Sequence, residues 1–137
     1  MTIKEYPEIR MDEILELYDS VGWTAYTSDP AMLEAGLLHS LQILMAYEGS
    51  DLVGLIRVVG DGQTIVYIQD ILVKPEYQRR GIGTALMRRI LQRFSHVRQI
   101  FLTTDDTSKT KAFYRALGFA PLERIGCCGF VRLSQIP

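Results

Sequence analysis

The chain has 137 residues and a mass of 15.6 kDa, which is the size of one ordinary domain, 1–137. Hydrophobic residues make up 47% and charged residues 23%, a composition that excludes an intrinsically disordered chain. The net charge of −1 conceals an asymmetry. Residues 1–73 hold three basic and twelve acidic side chains (−9), whereas residues 74–137 hold twelve basic and four acidic ones (+8). This asymmetry either indicates two ligands of opposite charge or is incidental, so the motifs must decide.

Neither targeting signals nor metal ligands are predicted. The first ten residues contain no apolar stretch typical of a secretory signal, and the apolar region 36–47 is too short to span a bilayer. Cys127 and Cys128 are adjacent, so we expect reduced thiols rather than a disulfide or a zinc site. His39 and His96 stand alone. We therefore expect a cytoplasmic protein with no metal and no membrane partner.

In the first half of the chain, short apolar segments alternate with turn residues. Asp29 before Pro30 is a typical helix start, because the carboxylate caps the helix and proline fits its first turn. The pattern predicts, in order, a strand at Thr2–Tyr6, a helix at Met11–Ser20, a loop holding Trp23, Tyr26 and Thr27, a helix from Asp29 to His39, and strands at Leu41–Glu48 and Leu52–Val59.

In the second half, Ile65–Val73 is the strongest strand signal of the chain. The pattern then predicts a helix at Gly83–Phe94, a strand at Ile100–Thr103, a helix from Thr107 or Ser108 to Leu117, and a final strand at Phe130–Leu133. We therefore expect an α/β domain of the α+β type, with mostly hairpin-linked strands and one clear β–turn–α unit.

The segment after Val73 has the features of an anion site. A helix N-terminus offers backbone N–H groups without internal partners and a positive dipole end. Gly81 and Gly83 lack a Cβ, so a phosphate could approach the backbone, and Arg79 and Arg80 add positive charge. Neither a Walker loop nor a dinucleotide fingerprint fits, because the lysine of the first is missing and residue 86, where the second needs glycine, is leucine.

Two motifs in this half resemble the GNAT superfamily of acyl-CoA N-acyltransferases. Gln78-Arg79-Arg80-Gly81-Ile82-Gly83 matches the family's (Gln/Arg)-x-x-Gly-x-(Gly/Ala) motif, and 111–119 is similar to its A-x-x-F-Y-x-x-x-G-F helix ending. The resemblance implies a strongly twisted mixed β-sheet flanked by helices, with a splayed strand that opens an acyl-CoA cleft.

The resemblance also implies acetyl-CoA as cosubstrate. Its pyrophosphate would lie on the backbone amides of 78–84, its pantetheine would pair with the strand end at Leu72 and Val73, and the Val73 amide would bind the thioester oxygen. The cofactor-binding residues implied are Leu72, Val73, Gln78, Arg79, Arg80, Gly81, Ile82, Gly83, Thr84, Ala85 and Tyr114.

The resemblance implies direct transfer in a ternary complex, and two residues, Asp70 and Tyr114, are candidates for its proton chemistry. Gln69 stands where some members carry a glutamate base, and glutamine cannot accept the proton. Asp70 is a candidate base or amine anchor, with a structural hydrogen-bonding role as the alternative. In a regular strand the two side chains point to opposite faces, unless the strand is bulged. Tyr114 matches the tyrosine that protonates the CoA thiolate, with a core aromatic as the alternative.

The acceptor side is expected at Trp23, Tyr26 and Gln69, in a region that resembles arylalkylamine acetyltransferases. We therefore predict an N-acetyltransferase acting on a primary amine of a small molecule. Acetylation of a protein N-terminus or lysine and a non-catalytic acetyl-CoA-binding domain remain open alternatives. Nucleic acid is not an expected partner, because the arginine-rich segment lacks a recognition motif and interleaved aromatics. The oligomeric state stays open, with a homodimer as a candidate.

Overall fold

Five strands form one mixed sheet in the order β1-β2-β3-β4-β5 in the computed structural model, which describes residues 1–134. The first four strands pair antiparallel with their neighbours, whereas β5 runs parallel to β4. A parallel pair needs a crossover connection, which a helix provides here. The strands are β1 Thr2–Lys4, β2 Gln42–Glu48, β3 Asp51–Gly60, β4 Ile65–Val73 and β5 Gln99–Leu102.

The five α-helices are α1 Met11–Ser20, α2 Thr24–Thr27, α3 Pro30–Leu38, α4 Ile82–Arg93 and α5 Ser108–Ala116. Two 3₁₀ turns, Pro75–Tyr77 and Leu122–Ile125, complete the regular structure of residues 1–134. Asp29 caps α3 as expected, since its Oδ1 accepts the Met32 N–H at 3.2 Å. Within this described part of the chain, no helix is long and apolar enough to cross a membrane.

Three sequence predictions about the elements are wrong in detail. The segment after Trp23 is a single helical turn rather than a loop, because the Ser28 N–H donates to the Thr24 carbonyl at 2.9 Å. The first strand ends at Lys4 rather than Tyr6. Phe130–Leu133 forms no strand: Phe130 is 96% exposed, and none of residues 1–134 supplies a neighbouring strand for this segment. A strand needs such a neighbour, whatever its own propensity.

The chain divides into two compact units, Met1–Thr103 and a second that begins at Thr104. The first holds the whole sheet, with helices on both faces. Alternation along β3 separates the faces, because Leu55 belongs to the core under α1 and α3, whereas a Cβ on Gly54 would meet Ile82 and Leu86 of α4. The second unit holds α5 and the segment that follows it.

Strand β4 is irregular in its middle. Arg57 of β3 lies opposite Asp70, and the next residue, Val58, lies opposite Ile68, so Gln69 has no partner on β3 and forms a β-bulge. On the other side of β4, β5 pairs only with Ile65 to Ile68. The bulge therefore lies where β5 departs, and the second half of β4 has one free edge within the first unit.

We predict that Gly54→Ala destabilises the first unit. The added Cβ would lie 3.1 Å from Ile82 Cγ2 and 3.4 Å from the Leu72 carbonyl, both parts of packed elements. Overpacking of this kind typically costs about 1–3 kcal/mol of unfolding free energy. Urea denaturation measures the loss. The control is Gly36→Ala in α3, which meets only the Arg57 side chain at 3.4 Å and gains helix propensity. An equal loss in both variants would contradict the packing argument.

Candidate active site

The free edge of β4 presents backbone groups at the end of the strand. The Lys74 N–H donates to the Val53 carbonyl at 2.8 Å, so this residue faces β3. Because N–H directions alternate along an antiparallel ladder, the N–H of Val73 points away from β3, toward the edge that β5 has left. A strand-like ligand or an acyl oxygen can be bound by such a free N–H group.

A short loop connects this edge to α4 and is held against it. Gln78 Nε2 donates to the Val73 carbonyl at 3.0 Å, which joins the loop to the strand end. On the other side, the Lys74 ammonium is buried and bonds Glu16 of α1 at 3.0 Å and Asp51 of β3 at 2.9 Å. Burial lowers the pKa of Lys74, but these two carboxylates more than reverse this effect and leave it raised, so the ammonium stays charged.

The loop then enters α4 through two residues with left-handed backbones, Arg79 (φ 65°) and Gly81 (φ 81°). Successive N–H groups in such a turn form a concave anion site. Helix α4 has no side-chain N-cap and no acidic residue in its first turn, whereas in α3 the Asp29 side chain caps the Met32 N–H. A Cβ built on Gly81 meets nothing within 4 Å, so the loop is open to a ligand.

The predicted cofactor residues of the loop differ in their surroundings. Gln78, Arg79, Arg80 and Gly81 are exposed, whereas Ile82 is buried against Gly54. The Arg80 guanidinium lies 5.2 Å from the centre of the Tyr77 ring, a cation–π contact. Ile82 can therefore offer a ligand only its backbone. Gly83, Thr84 and Ala85 are half-buried in the first turns of α4.

A buried carboxylate lies behind the bulge of β4. Asp70 is 3% exposed and accepts three hydrogen bonds: from Arg57 Nε at 2.7 Å, from Tyr18 Oη at 2.9 Å and from Tyr26 Oη at 3.1 Å. A carboxylate with a guanidinium and two phenols on its oxygens has little capacity left for a substrate proton. Its contacts favour the structural alternative that the sequence left open.

The bulge brings Gln69 to Tyr26, one of the two phenols that donate to Asp70. Gln69 Nε2 donates to Tyr26 Oη at 3.2 Å, and Tyr26 in turn donates to Asp70. A regular strand would have sent these two consecutive side chains to opposite faces. Gln69 is exposed and Tyr26 is half-buried, so they form the accessible side of the cluster.

The phenols of the cluster are held in their protonated form. Burial, reinforced by the negative charge of Asp70, raises the pKa of Tyr18 far above its ordinary value. Burial also raises the pKa of Tyr26. For Arg57, burial lowers the pKa, but Asp70 more than reverses this effect, so the guanidinium stays charged. At neutral pH both tyrosines are therefore hydrogen-bond donors to Asp70.

Trp23 and the two tyrosines form an aromatic cluster. The ring centre of Trp23 lies 5.9 Å from that of Tyr18 and 6.3 Å from that of Tyr26. Tyr18 and Tyr26 pack edge to face at 5.5 Å. Trp23 and Tyr26 are half-buried, so part of each ring is accessible next to Gln69. The sequence-predicted acceptor residues are thus brought together.

Tyr114 lies on the second unit, in α5. Its ring packs edge to face on Phe113 at 5.0 Å and on Phe119 at 5.9 Å, and it is half-buried. Burial raises the pKa of Tyr114, so the phenol keeps its proton at neutral pH. The same unit holds Cys127 and Cys128, which are both free and exposed. No three His, Cys, Asp or Glu side chains cluster as metal ligands anywhere in residues 1–134.

Sequence reasoning missed three residues of this site: Tyr18, Arg57 and Lys74. Arg57 did carry a signal, because it is the only charged side chain in the predicted strand Leu52–Val59, and a buried charge needs a partner. Tyr18 gave no such signal, because its position on the apolar face of α1 is equally typical of a core aromatic.

The family described as "Acetyltransferase (GNAT) family" matches residues 8–119. The chain belongs to the GNAT acetyltransferase family. Its members use acetyl-CoA, and the mixed sheet flanked by helices is the family fold, as the sequence predicted. A solved GNAT-family acetyltransferase from Streptococcus pneumoniae shares 42% sequence identity, with a TM-score of 0.88 over 98% of both chains.

Curated relatives in this GNAT family are more distant. An uncharacterized N-acetyltransferase of Porphyra purpurea is 28% identical over 81% of this chain, and a histone acetyltransferase of Glycine max is 30% identical over 82%. This chain spans 65% of the length of the first relative and 52% of the second.

We predict that Asp70→Asn strongly destabilises the first unit of this GNAT chain. The substitution leaves the Arg57 guanidinium buried beside a neutral amide, and breaking a buried ion pair on one side costs about 3–5 kcal/mol. Thermal and urea unfolding at pH 7 measure the loss. Glu8→Gln is the control, because its pair with Arg10 is exposed and is expected to contribute less than about 1 kcal/mol. A loss from Asp70→Asn no larger than that of Glu8→Gln would refute the assignment of Asp70 as the buried partner of Arg57.

Proposed function

We propose that this chain transfers the acetyl group of acetyl-CoA to a primary amine of a small molecule, by direct attack in a ternary complex. The observation that carries the proposal is the free edge of β4, which leads through Gln78 into the uncapped N-terminus of α4. An extended thioester with a diphosphate at one end has groups to match both parts. The thioester supplies the activated acetyl group.

The residues of the loop fit such a cosubstrate. The N–H groups at the start of α4 have no side-chain cap, and Gly81 leaves open space in front of them, so a diphosphate could approach the backbone. Arg79 and Arg80 are exposed and add positive charge. The Val73 N–H would bind the acyl oxygen, and the edge near Leu72 and Val73 would hold the amide groups of the pantetheine.

The acceptor amine must lose a proton before it attacks. An alkylamine of pKa near 10.4 is mostly protonated at pH 7, and removing its proton costs about 4–5 kcal/mol. Gln69 cannot take this proton, and the oxygens of Asp70 already accept from Arg57 and two phenols. We therefore propose that water removes the proton and that the site contributes positioning, which can lower a barrier by about 7–11 kcal/mol.

A second candidate function is acetylation of a protein. It is favoured by the similarity to the Glycine max relative, which is named a histone acetyltransferase. Against it, the accessible rings of Trp23 and Tyr26 offer a compact aromatic surface that suits a small amine.

An acceptor panel tests the proposal directly. Purified protein is incubated with acetyl-CoA and with alkylamines, arylalkylamines, polyamines and lysine or N-terminal peptides, and thiol release is followed. Turnover of small amines with little turnover of peptides supports the proposal, and the reverse supports the protein acceptor. Tight binding of acetyl-CoA without turnover of any acceptor identifies a non-catalytic binding domain and refutes the enzyme proposal.

The proposal extends to the cellular setting and to partners. It includes a cytoplasmic location with no metal, no nucleic-acid partner and no membrane partner, and the two free cysteines are compatible with a reducing compartment. A homodimer stays a prediction. The exposed apolar side chains of Phe130 and Val131 favour self-association, and light scattering measures it.

We predict that Gly81→Ala weakens acetyl-CoA binding. A side chain at φ 81° costs about 1–2 kcal/mol, which the loop can relieve by leaving the conformation that faces the diphosphate. The dissociation constant should rise about 5- to 30-fold, measured by calorimetry. Gly22→Ala is a matched control, because Gly22 has φ 79° and an equally open surrounding. If Gly22→Ala weakens binding equally, the loop assignment is wrong.

We predict that Tyr114→Phe lowers kcat by about 10²-fold, the smaller end of the range for a general acid. The phenol would protonate the departing thiolate, and its raised pKa keeps it protonated through neutral pH and above. The wild-type rate should therefore not fall from loss of this proton until the pH exceeds 10. Tyr6→Phe, at an exposed phenol that bonds Arg93, is the control. Full kcat in Tyr114→Phe at every pH would exclude the acid role.

A further inference from the structure

We infer that the side-chain carbonyl of Gln69 binds the N–H of the acceptor amine, and that Tyr26 and Asp70 are positioning residues that fix its direction. The inference rests on the proposed function and deepens it. It gives Gln69 a role other than that of a base, as an acceptor that binds and orients the amine.

The direction of the amide follows from the order of donors and acceptors. Asp70 forms a 2.7 Å ion pair with Arg57, so its carboxylate can only accept hydrogen bonds. Tyr26 therefore donates its single proton to Asp70 Oδ1, at 3.1 Å. Because its only proton is used in that bond, the Tyr26 hydroxyl can only accept a hydrogen bond from Gln69. The Gln69 atom that faces Tyr26 must therefore be the amide nitrogen, at 3.2 Å.

The carbonyl oxygen of Gln69 is consequently turned away from Tyr26. None of residues 1–134 donates a hydrogen bond to Gln69 Oε1, and the side chain is exposed. A fixed carbonyl oxygen with no partner is an acceptor for an N–H group. One of the two amide N–H groups donates to Tyr26, and the carbonyl oxygen is the acceptor that this side chain presents to a ligand.

The surroundings of this oxygen suit an amine. The half-buried rings of Trp23 and Tyr26 lie beside Gln69, and aromatic faces attract cations. The bulge places Gln69 where β5 departs from β4, on the same edge as the free N–H of Val73. An amine held at Gln69 would therefore lie along the edge proposed for the acyl group.

A double-mutant cycle separates this role from a structural one. With the panel amine of highest kcat/KM, Gln69→Leu should raise the KM for the amine about five- to tenfold, the effect of one hydrogen bond, and leave the KM for acetyl-CoA unchanged. Tyr26→Phe should have a similar effect, because the amide loses its anchor. The double variant should be no worse than the poorer single variant, since both changes remove the same contact. Multiplying effects would overturn the inference. Gln63→Leu, the same change at an exposed turn, should alter nothing.

A second measurement tests the N–H requirement without turnover. In the presence of coenzyme A, the dissociation constants of the same primary amine and of its N-trimethylated counterpart are measured by calorimetry. Gln69→Leu should weaken the primary amine about five- to tenfold and leave the quaternary compound unchanged. Equal weakening of both, or of neither, would overturn the inference.

The two levels of proposal fail in different ways. Absence of turnover with every amine in the wild type would overturn the proposed function and this inference with it. Normal turnover of an amine by both wild type and Gln69→Leu would overturn this inference alone. Asp70→Asn is not used in the cycle, because it leaves Arg57 without its buried partner.

Discussion

The Arg57–Asp70 ion pair is the interaction on which the candidate site depends. Both side chains are buried, at 7% and 3% exposure, so each needs the other to satisfy its charge. The pair joins neighbouring strands where β4 is bulged. Asp70 then orders two phenols that come from different helical segments, Tyr18 from α1 and Tyr26 from α2. One carboxylate thereby fixes the hydrogen-bond directions of the proposed acceptor side.

The bulge explains how a buried charge and an accessible amide can come from consecutive residues. In a regular strand one of the two would point to the face covered by α4. Because of the extra residue, Gln69 and Asp70 both form a hydrogen bond with Tyr26. The Asp70 carboxylate is buried and the Gln69 amide is exposed. Bulges next to active sites commonly redirect a side chain in this manner. Here the redirection coincides with the departure of β5, which opens the edge of β4.

The proposed anion site is built mainly from the backbone. Gly81 opens the start of α4, Gln78 ties the loop to the Val73 carbonyl, and no acidic side chain competes for the first N–H groups. This arrangement explains part of the charge asymmetry of the sequence. The basic half contains the uncapped helix, whereas the acidic half contributes the one carboxylate that organises the aromatic cluster. Asp29, by contrast, serves as a helix cap.

The sequence by itself determined the family and its mixed sheet and predicted the anion loop, because these depend on local signals: apolar periodicity, a glycine-rich helix start and two spaced motifs. It also singled out Trp23, Tyr26, Gln69 and Asp70, but it could not say which of the last two faces the site. Which side chain faces the site depends on the β-bulge, a one-residue register shift between β3 and β4 that no local propensity encodes. The partners of Asp70 could not be predicted from the sequence either, since Tyr18 and Arg57 are 52 and 13 residues away in the chain. The prediction of a strand at Phe130–Leu133 was wrong for a related reason. A strand needs a neighbouring strand, and only the tertiary structure decides whether one is present.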